Sequence, residues 1–413
     1  NEAEMIDNGI LINNIGELVT FNPAEQRMEI YKDTEMVVKE GQVAAIGKDL
    51  YSPGLKVVDA RHKLVTPGFV DAHTHPVFIG SREQEFEQRI AGKSYQEIAA
   101  AGGGILNSVL YLRRANYHEL MGQVRKHLDS FLQFGTTTIE AKSGYGLSSE
   151  DEFKSLQVLH DIAQTHPLEI YATFLGAHAY PIEYRDNHQA YIDLIVNQML
   201  PRVVREGLAH FCDAFCEEGA FSVSEARQIL TAARFLGLGI RLHADEFKAI
   251  GAVQLARECG AISADHLTAI TEEGIEALVA GKIVPILLPG TTFFLGHEHY
   301  APARRLWERG LPVALASDFN PGSCMIQSLP LIMTIACLKM HLTPLEALQA
   351  TTYNAACSLR LEKRVGSLLP GWQGDFIIWK IDDYRGIPYY VGLPTIAQVW
   401  KCGKLVWQNI IDD

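Results

Sequence analysis

The order of apolar and polar positions divides the chain into three stretches. Residues 1 to about 62 carry short apolar runs broken by turns: Ile10-Leu11-Ile12, Leu18-Val19-Thr20-Phe21, Glu35-Met36-Val37-Val38 and Val43-Ala44-Ala45-Ile46-Gly47. None shows a sustained helical period, so they predict strands. The tail repeats the pattern in Asp375–Trp379 and Gln398–Trp407. Two β-rich ends around a different middle predict one small composite β-sandwich domain built from residues 1–62 and 359–413. Separate terminal extensions are the competing arrangement.

The middle, residues 63–358, alternates short apolar runs with helix-length amphipathic stretches, the pattern of parallel βα units. Eight runs qualify as strands: Leu64–Val70, Thr136–Ile139, Glu169–Phe174, Phe211–Phe215, Gly239–Leu242, Ala261–Ser263, Ile283–Leu288 and Pro312–Ala316. Helical patterns such as Glu150–Ala163, Val223–Leu236 and Thr271–Ala280 lie between them. Several open on a capping Ser or Thr followed by a carboxylate. Eight such units predict a (β/α)₈ barrel. A doubly wound open sheet is the alternative, but no Gly-rich phosphate turn follows the first strand. Gly102-Gly103-Gly104 lacks the Gly-Lys-Ser/Thr of a phosphate loop and reads as a flexible loop near the site.

Composition narrows the classes. With 413 residues, 47% of them hydrophobic and 21% charged, the chain can fill one large core plus a minor one. A net charge of −13 argues against a nucleic-acid or anionic-membrane partner, though not against a small anionic substrate met by local arginines. The seven scattered cysteines suggest reduced thiols and a cytoplasmic location. No charged-then-apolar leader is visible. The apolar stretch Ile283–Leu295 is interrupted by Pro285 and Pro289 and is too short for a bilayer.

Chemistry-bearing residues collect where the strands end. His73 and His75 follow the first strand two residues apart, so on extended backbone they face the same side. Glu140, Lys142 and Tyr145 follow the second strand, His178 the third and Glu217 the fourth. His243, Asp245 and Glu246 follow the fifth, Asp265 and His266 the sixth, Asp318 and Asn320 the eighth. Barrel enzymes assemble their sites from such positions. His73, His75, His243 and Asp318 form a set suited to one divalent metal with a position left open for water. Each has an ordinary alternative: a buried histidine satisfied by its neighbours, or an Asx turn at Asp318-Phe319-Asn320-Pro321-Gly322. His297-Glu298-His299 repeats the His-x-His spacing but stands away from a strand end and reads as unrelated to the site.

This ordered set resembles the amidohydrolase superfamily, which carries His-x-His at strand one, His at strands five and six, and Asp at strand eight. The strand-four segment Phe211–Glu217 has no lysine to bridge two ions, so a single metal is implied, Zn²⁺ or Fe²⁺/Fe³⁺. His243-Ala244-Asp245-Glu246 is similar to the arrangement in the mononuclear branch that includes cytosine deaminase. Within that branch the chain most resembles the imidazolonepropionases, from Thr66 through Gly371. The resemblance rests on Gly80-Ser81-Arg82-Glu83, Lys142-Ser143-Gly144-Tyr145-Gly146-Leu147, Thr173–Ala179 and Asp318-Phe319-Asn320-Pro321-Gly322-Ser323; Arg241, beside the strand-five histidine, is a minor difference. It implies hydrolysis of the cyclic amide of 4-imidazolone-5-propanoate by a metal-activated water, and a homodimer. Glu246 would shuttle the proton, with Asp318 a possible partner, and His266 would stabilise the oxyanion or orient the water. Arg82 would grip the propionate, and Tyr145, His178, Glu246, Asn320, Gly322 and Ser323 would line the substrate pocket.

Two other functions fit parts of the pattern. A deaminase of a nucleobase-like ring would use nearly the same metal set, but an uncharged base needs no anion grip such as Arg82. A non-enzymatic assembly protein on the same fold would be expected to have lost ligands that are all present here.

Overall fold

The computed structural model describes residues 9–50, 53–93, 97–98 and 102–409. The expectation about a leader, and the outer residues of both terminal segments, fall outside the described residues. Two sheets organise the chain. In the first, both ends meet, as the two β-rich patterns predict. It contains β1 (Ile10–Asn22), β2 (Arg27–Lys39), β3 (Gln42–Gly47), β4 (Lys56–Asp59) and β5 (Leu64–Pro67), with β14 (Phe376–Trp379), β15 (Ile396–Lys401) and β16 (Lys404–Gln408). The strand order is β16-β15-β14-β5-β1-β2-β3, with β4 also paired to β1. Ile12, Ile15, Leu18, Met36, Val65, Phe376 and Trp400 form its own apolar core.

The two short runs expected at Ile10 and Leu18 are one strand. Its register on β2 shifts between Ile12 and Ile15, and Asn14 sits there at φ 52°. An extra residue absorbed as a bulge bends the strand without ending it. Conversely, the single strand expected over Gln398–Trp407 is a hairpin, turned at Cys402-Gly403.

The second sheet is parallel and runs β6 (Phe69–Asp71), β7 (Thr136–Lys142), β8 (Glu169–Ala177), β9 (Phe211–Cys216), β10 (Gly239–Ala244), β11 (Ser263–His266), β12 (Val284–Leu287) and β13 (Ala314–Leu315), each paired with the next. These strands are wholly or almost wholly buried, as expected for a parallel sheet wrapped by helices. The helices start where the capping residues indicate: Ser148 accepts from the Asp151 N–H, Ser222 and Glu225 form a capping box, and Thr271 caps the helix Glu272–Gly281.

The first predicted barrel strand, Leu64–Val70, divides between the two sheets. Leu64–Pro67 pairs with β1 and β14, and Phe69–Asp71 opens the barrel. Gly68 makes the transfer: its N–H donates to Asp375 while the Phe69 N–H donates to Gly135 in the barrel. A Cβ at residue 68 would lie 2.3 Å from Thr137 Oγ1, so the close approach requires glycine. The barrel closes between its first and last strand ends, where Asp318 N–H donates to His73 O (3.0 Å) and His75 N–H to Phe319 O (2.9 Å).

Charge also joins the two sheets. Lys401 on β15 pairs with Asp375 at 2.6 Å and with Glu169, at the start of β8, at 2.8 Å; Arg364 also binds Glu169. No helix among the described residues is long and apolar enough to cross a membrane, and all seven cysteines are free thiols.

Candidate active site

Three donor atoms meet at the barrel seam. His73 Nε2 and His75 Nε2 lie 3.2 Å apart, and Asp318 Oδ1 is 3.4 Å from the first and 3.3 Å from the second. Two donors bound about 2.0–2.1 Å from a tetrahedral metal stand roughly 3.3 Å from each other. The triangle therefore fits the face of a metal polyhedron, and all three residues are buried. His73, His243 and His266 form a second group whose donor atoms lie within 4.8 Å of one another. The backbone hydrogen bonds that close the barrel are what bring residues 73–75 against residue 318.

Carboxylates behind the histidines set their orientation. Asp265 Oδ2 is 2.6 Å from His73 Nδ1, leaving Nε2 for the donor triangle. Asp213 Oδ2 lies 2.9 Å from His243 Nδ1, and Asp213 Oδ1 accepts the His243 backbone N–H at 3.1 Å. Thr291 Oγ1 donates to Asp318 Oδ2 at 2.5 Å. Such partners fix tautomer and ring plane and raise ligand basicity. Burial and the Lys142 cation oppose protonation of His73, yet Asp265 and Asp318 outweigh them and lift its pKa to about 9. Burial drives His75 down to about 4 despite Asp318. Burial would raise Asp318, but hydrogen bonds from His73 and His75 hold it well below the usual carboxylate range.

Asp245 (φ 50°), His266 (φ 80°) and Asp318 (φ 52°) all adopt left-handed backbone. Strain of this kind in side-chain-bearing residues gathers at functional sites, where surrounding contacts enforce it.

His266 Nε2 is 3.6 Å from Glu246 Oε2. Burial, reinforced by Asp318 and Glu217, raises the Glu246 carboxyl well above its ordinary value. Burial keeps His266 well below the ordinary histidine pKa. The His178 ring stacks 5.2 Å from that of His75, its Nδ1 faces Gly144 O at 2.9 Å, and the buried Tyr145 ring stands 5.2 Å from it. These residues share one wall beside the donor triangle.

Arg82 binds Glu85 with Nε (2.9 Å) and Nη2 (2.6 Å), and its Nη1 side packs on Gly322. Asn320 is committed to its own turn. Its Oδ1 accepts from the Gly322 and Ser323 N–H groups, and its Nδ2 donates to Asp318 O and Ser323 Oγ. Glu217 is likewise engaged, with the N–H groups of Glu218, Phe247 and Lys248. The exposed His297-Glu298-His299 belongs to neither donor group.

Several barrel strands run farther than the sequence suggests. β7, β8, β9, β10 and β11 end at Lys142, Ala177, Cys216, Ala244 and His266, so His243 and His266 lie on strands rather than after them. Of the orienting residues, the sequence marks Asp265 as a strand-end candidate without a specific role and does not single out Asp213 or Thr291. A carboxylate inside the otherwise apolar Phe211-Cys212-Asp213-Ala214-Phe215-Cys216 was the available signal, because a buried charge requires a partner.

The amidohydrolase family model matches residues 64–406, which includes every donor named above. The chain belongs to the amidohydrolase family. Among curated amidohydrolase relatives, the imidazolonepropionase of Alkaliphilus metalliredigens is 41% identical over 97% of this chain and 98% of its own length. That of Symbiobacterium thermophilum is 45% identical over 96% and 97%. A 5-methylcytosine deaminase from Klebsiella pneumoniae liganded with phosphonocytosine superposes with a TM-score of 0.75 at 15% identity, over 98% of this chain and 99% of that one. An adenosine deaminase from Xanthomonas campestris with bound zinc gives 0.73 at 16% identity, over 98% and 94%. At those identities the deaminases share the amidohydrolase fold alone.

Proposed function

We propose that this chain hydrolyses the ring amide of 4-imidazolone-5-propanoate to N-formimidoyl-L-glutamate, a step in histidine degradation. The observation that carries this reading is end-to-end similarity, at 41% and 45% identity, to relatives named for that activity. The donor geometry supplies the matching chemistry. His73, His75, His243 and Asp318 would hold one divalent metal, and imidazole with carboxylate suits zinc and iron alike. Such a metal lowers the pKa of bound water to about 7, which makes a nucleophile available at neutral pH.

The chain's own side chains divide the remaining work. Glu246, whose burial beside Asp318 and Glu217 favours the protonated carboxyl, delivers a proton to the departing ring nitrogen. His266, kept neutral by burial, donates a hydrogen bond to the carbonyl oxygen as charge develops there. Arg82, steadied by Glu85, pairs with the propionate; Tyr145, His178 and the Asn320–Ser323 turn bound the pocket. A small anionic substrate, a cytoplasmic location and a homodimer complete the reading. Incubating purified protein with imidazolonepropionate should remove the substrate's ultraviolet absorbance, with cytosine and guanine unchanged in parallel. Turnover of a nucleobase and none of imidazolonepropionate would replace this reading with the deaminase.

A further inference from the structure

A fully buried lysine lies beneath the donor cluster. Lys142 Nζ is 2.8 Å from Glu140 Oε1 and 2.9 Å from Asp213 Oδ2, and none of these side chains reaches solvent. Asp213 in turn meets His243 at two points: its Oδ1 accepts the backbone N–H, and its Oδ2 lies 2.9 Å from the ring Nδ1. We propose that Lys142 is a positioning residue for the metal centre: its ammonium fixes the Asp213 carboxylate, which fixes the ring of His243. The proposal rests on the metal-centre reading above.

A competing role for Lys142 is to neutralise Glu140. Glu140, however, already has other partners: the Thr173 hydroxyl, the Thr74 N–H at 3.3 Å and the Arg241 guanidinium at 3.7 Å. Arg241 also donates to Ala72 O at 2.7 Å and lies 3.6 Å from Asp265, the partner of His73. The two buried cations therefore share Glu140 and differ in their second carboxylate, Asp265 for Arg241 on the His73 side and Asp213 for Lys142 on the His243 side. Lys142 is placed on β7, whose end also supports the first ligand pair, since the Lys142 N–H donates to Thr74 O at 3.0 Å. Removing its charge leaves Asp213 Oδ2 without that ion pair while Oδ1 stays on the Ala214 and His243 N–H groups, so the contact of Oδ2 with Nδ1 is the one that loosens. His243 would then be a less basic and less ordered ligand.

The test is the affinity of the metal-stripped protein for Zn²⁺, read in competition with a chromophoric chelator. Lys142→Met and Asp213→Asn should each weaken Zn²⁺ binding by about 10–100-fold. The double variant should lose no more than Asp213→Asn alone, because the two residues act through one contact. Lys142→Met/Glu140→Gln removes one buried charge of each sign and should bind as weakly as Lys142→Met; it also decides the matter if the single variant does not fold. Unchanged affinity in Lys142→Met, multiplied losses in the double variant, or recovery on adding Glu140→Gln would overturn the proposal. A wild-type protein that binds no Zn²⁺ would overturn the metal-centre reading itself, a result distinguishable from unaltered variants of a Zn²⁺-binding wild type.

Discussion

Gly322 and Arg82 are fitted to each other so closely that a Cβ on the glycine would lie 2.3 Å from the arginine's Nη1. The obstacle is the end of a flexible side chain, so Gly322→Ala should displace the guanidinium and leave the fold intact. If Arg82 holds the propionate, KM should rise several-fold with kcat and metal content nearly constant. Arg82→Ala should cost more, on the order of 1.5–3 kcal/mol in kcat/KM for a charge-assisted contact. An imidazolone lacking the carboxylate should register neither change. Equal losses on both compounds would make Arg82 a structural partner of Glu85.

The two donor groups, joined at His73, predict what metal analysis will find. His243→Ala and Asp318→Ala should each lose most of the metal and nearly all turnover, while circular dichroism retains the barrel. Wild-type protein should approach one ion per chain, since Phe211–Glu217 offers no bridging lysine. Full metal content in both variants would mean that other residues ligate.

Glu246 should separate chemistry from metal binding. Glu246→Gln keeps the shape of the side chain but cannot exchange the proton. Metal content should stay near the wild-type level while kcat falls about 10²–10⁴-fold, the usual contribution of a general acid–base group. Near-normal kcat would move the proton transfer to another residue, with His266 the next to substitute.

Acid should loosen the joint between the sheets. Burial pushes the Glu169 carboxyl up, but Lys401, Tyr171 and Arg364 together bring it down to about 2 from an ordinary 4.5. A carboxylate depressed in the folded state stabilises fully above its unfolded pKa. That contribution fades as pH falls from about 4.5 through about 2. Glu169→Gln should therefore be less stable than wild type at pH 7, and urea denaturation should show the gap closing toward pH 2. A gap independent of pH would assign the loss to packing.

Much of this architecture was legible because strand ends carry distinctive residues. A His-x-His after an apolar run and single polar residues after the following runs are local signals, and they sufficed for a barrel with histidine and aspartate donors gathered at its mouth. What was not legible depends on partners distant in sequence. The apolar run Leu64–Val70 gives no sign that its first half pairs with Phe376–Ile378, although Pro67-Gly68 marks the break. Asn14 absorbs a bulge that reads locally as a strand end. The sequence offers Asn320 as a substrate contact but does not show that its side chain also builds the turn it caps. Asp213 and Asp265 gained meaning only when the histidines they face were placed.

The seam between the first and last barrel strands has a consequence for how the ring is held shut. Its hydrogen bonds join His73 and His75 to Asp318 and Phe319, so it closes a loop that contains every intervening βα unit. An ion captured by His73, His75 and Asp318 would span the same gap and act as a clasp on that ring. Closing so long a loop carries an entropic cost that such a clasp would offset in the folded state. The amides of His75 and Asp318 are therefore natural reporters of the clasp: in hydrogen exchange they should become far slower once metal is added, while those of β8 and β9, on the far side of the ring, scarcely change.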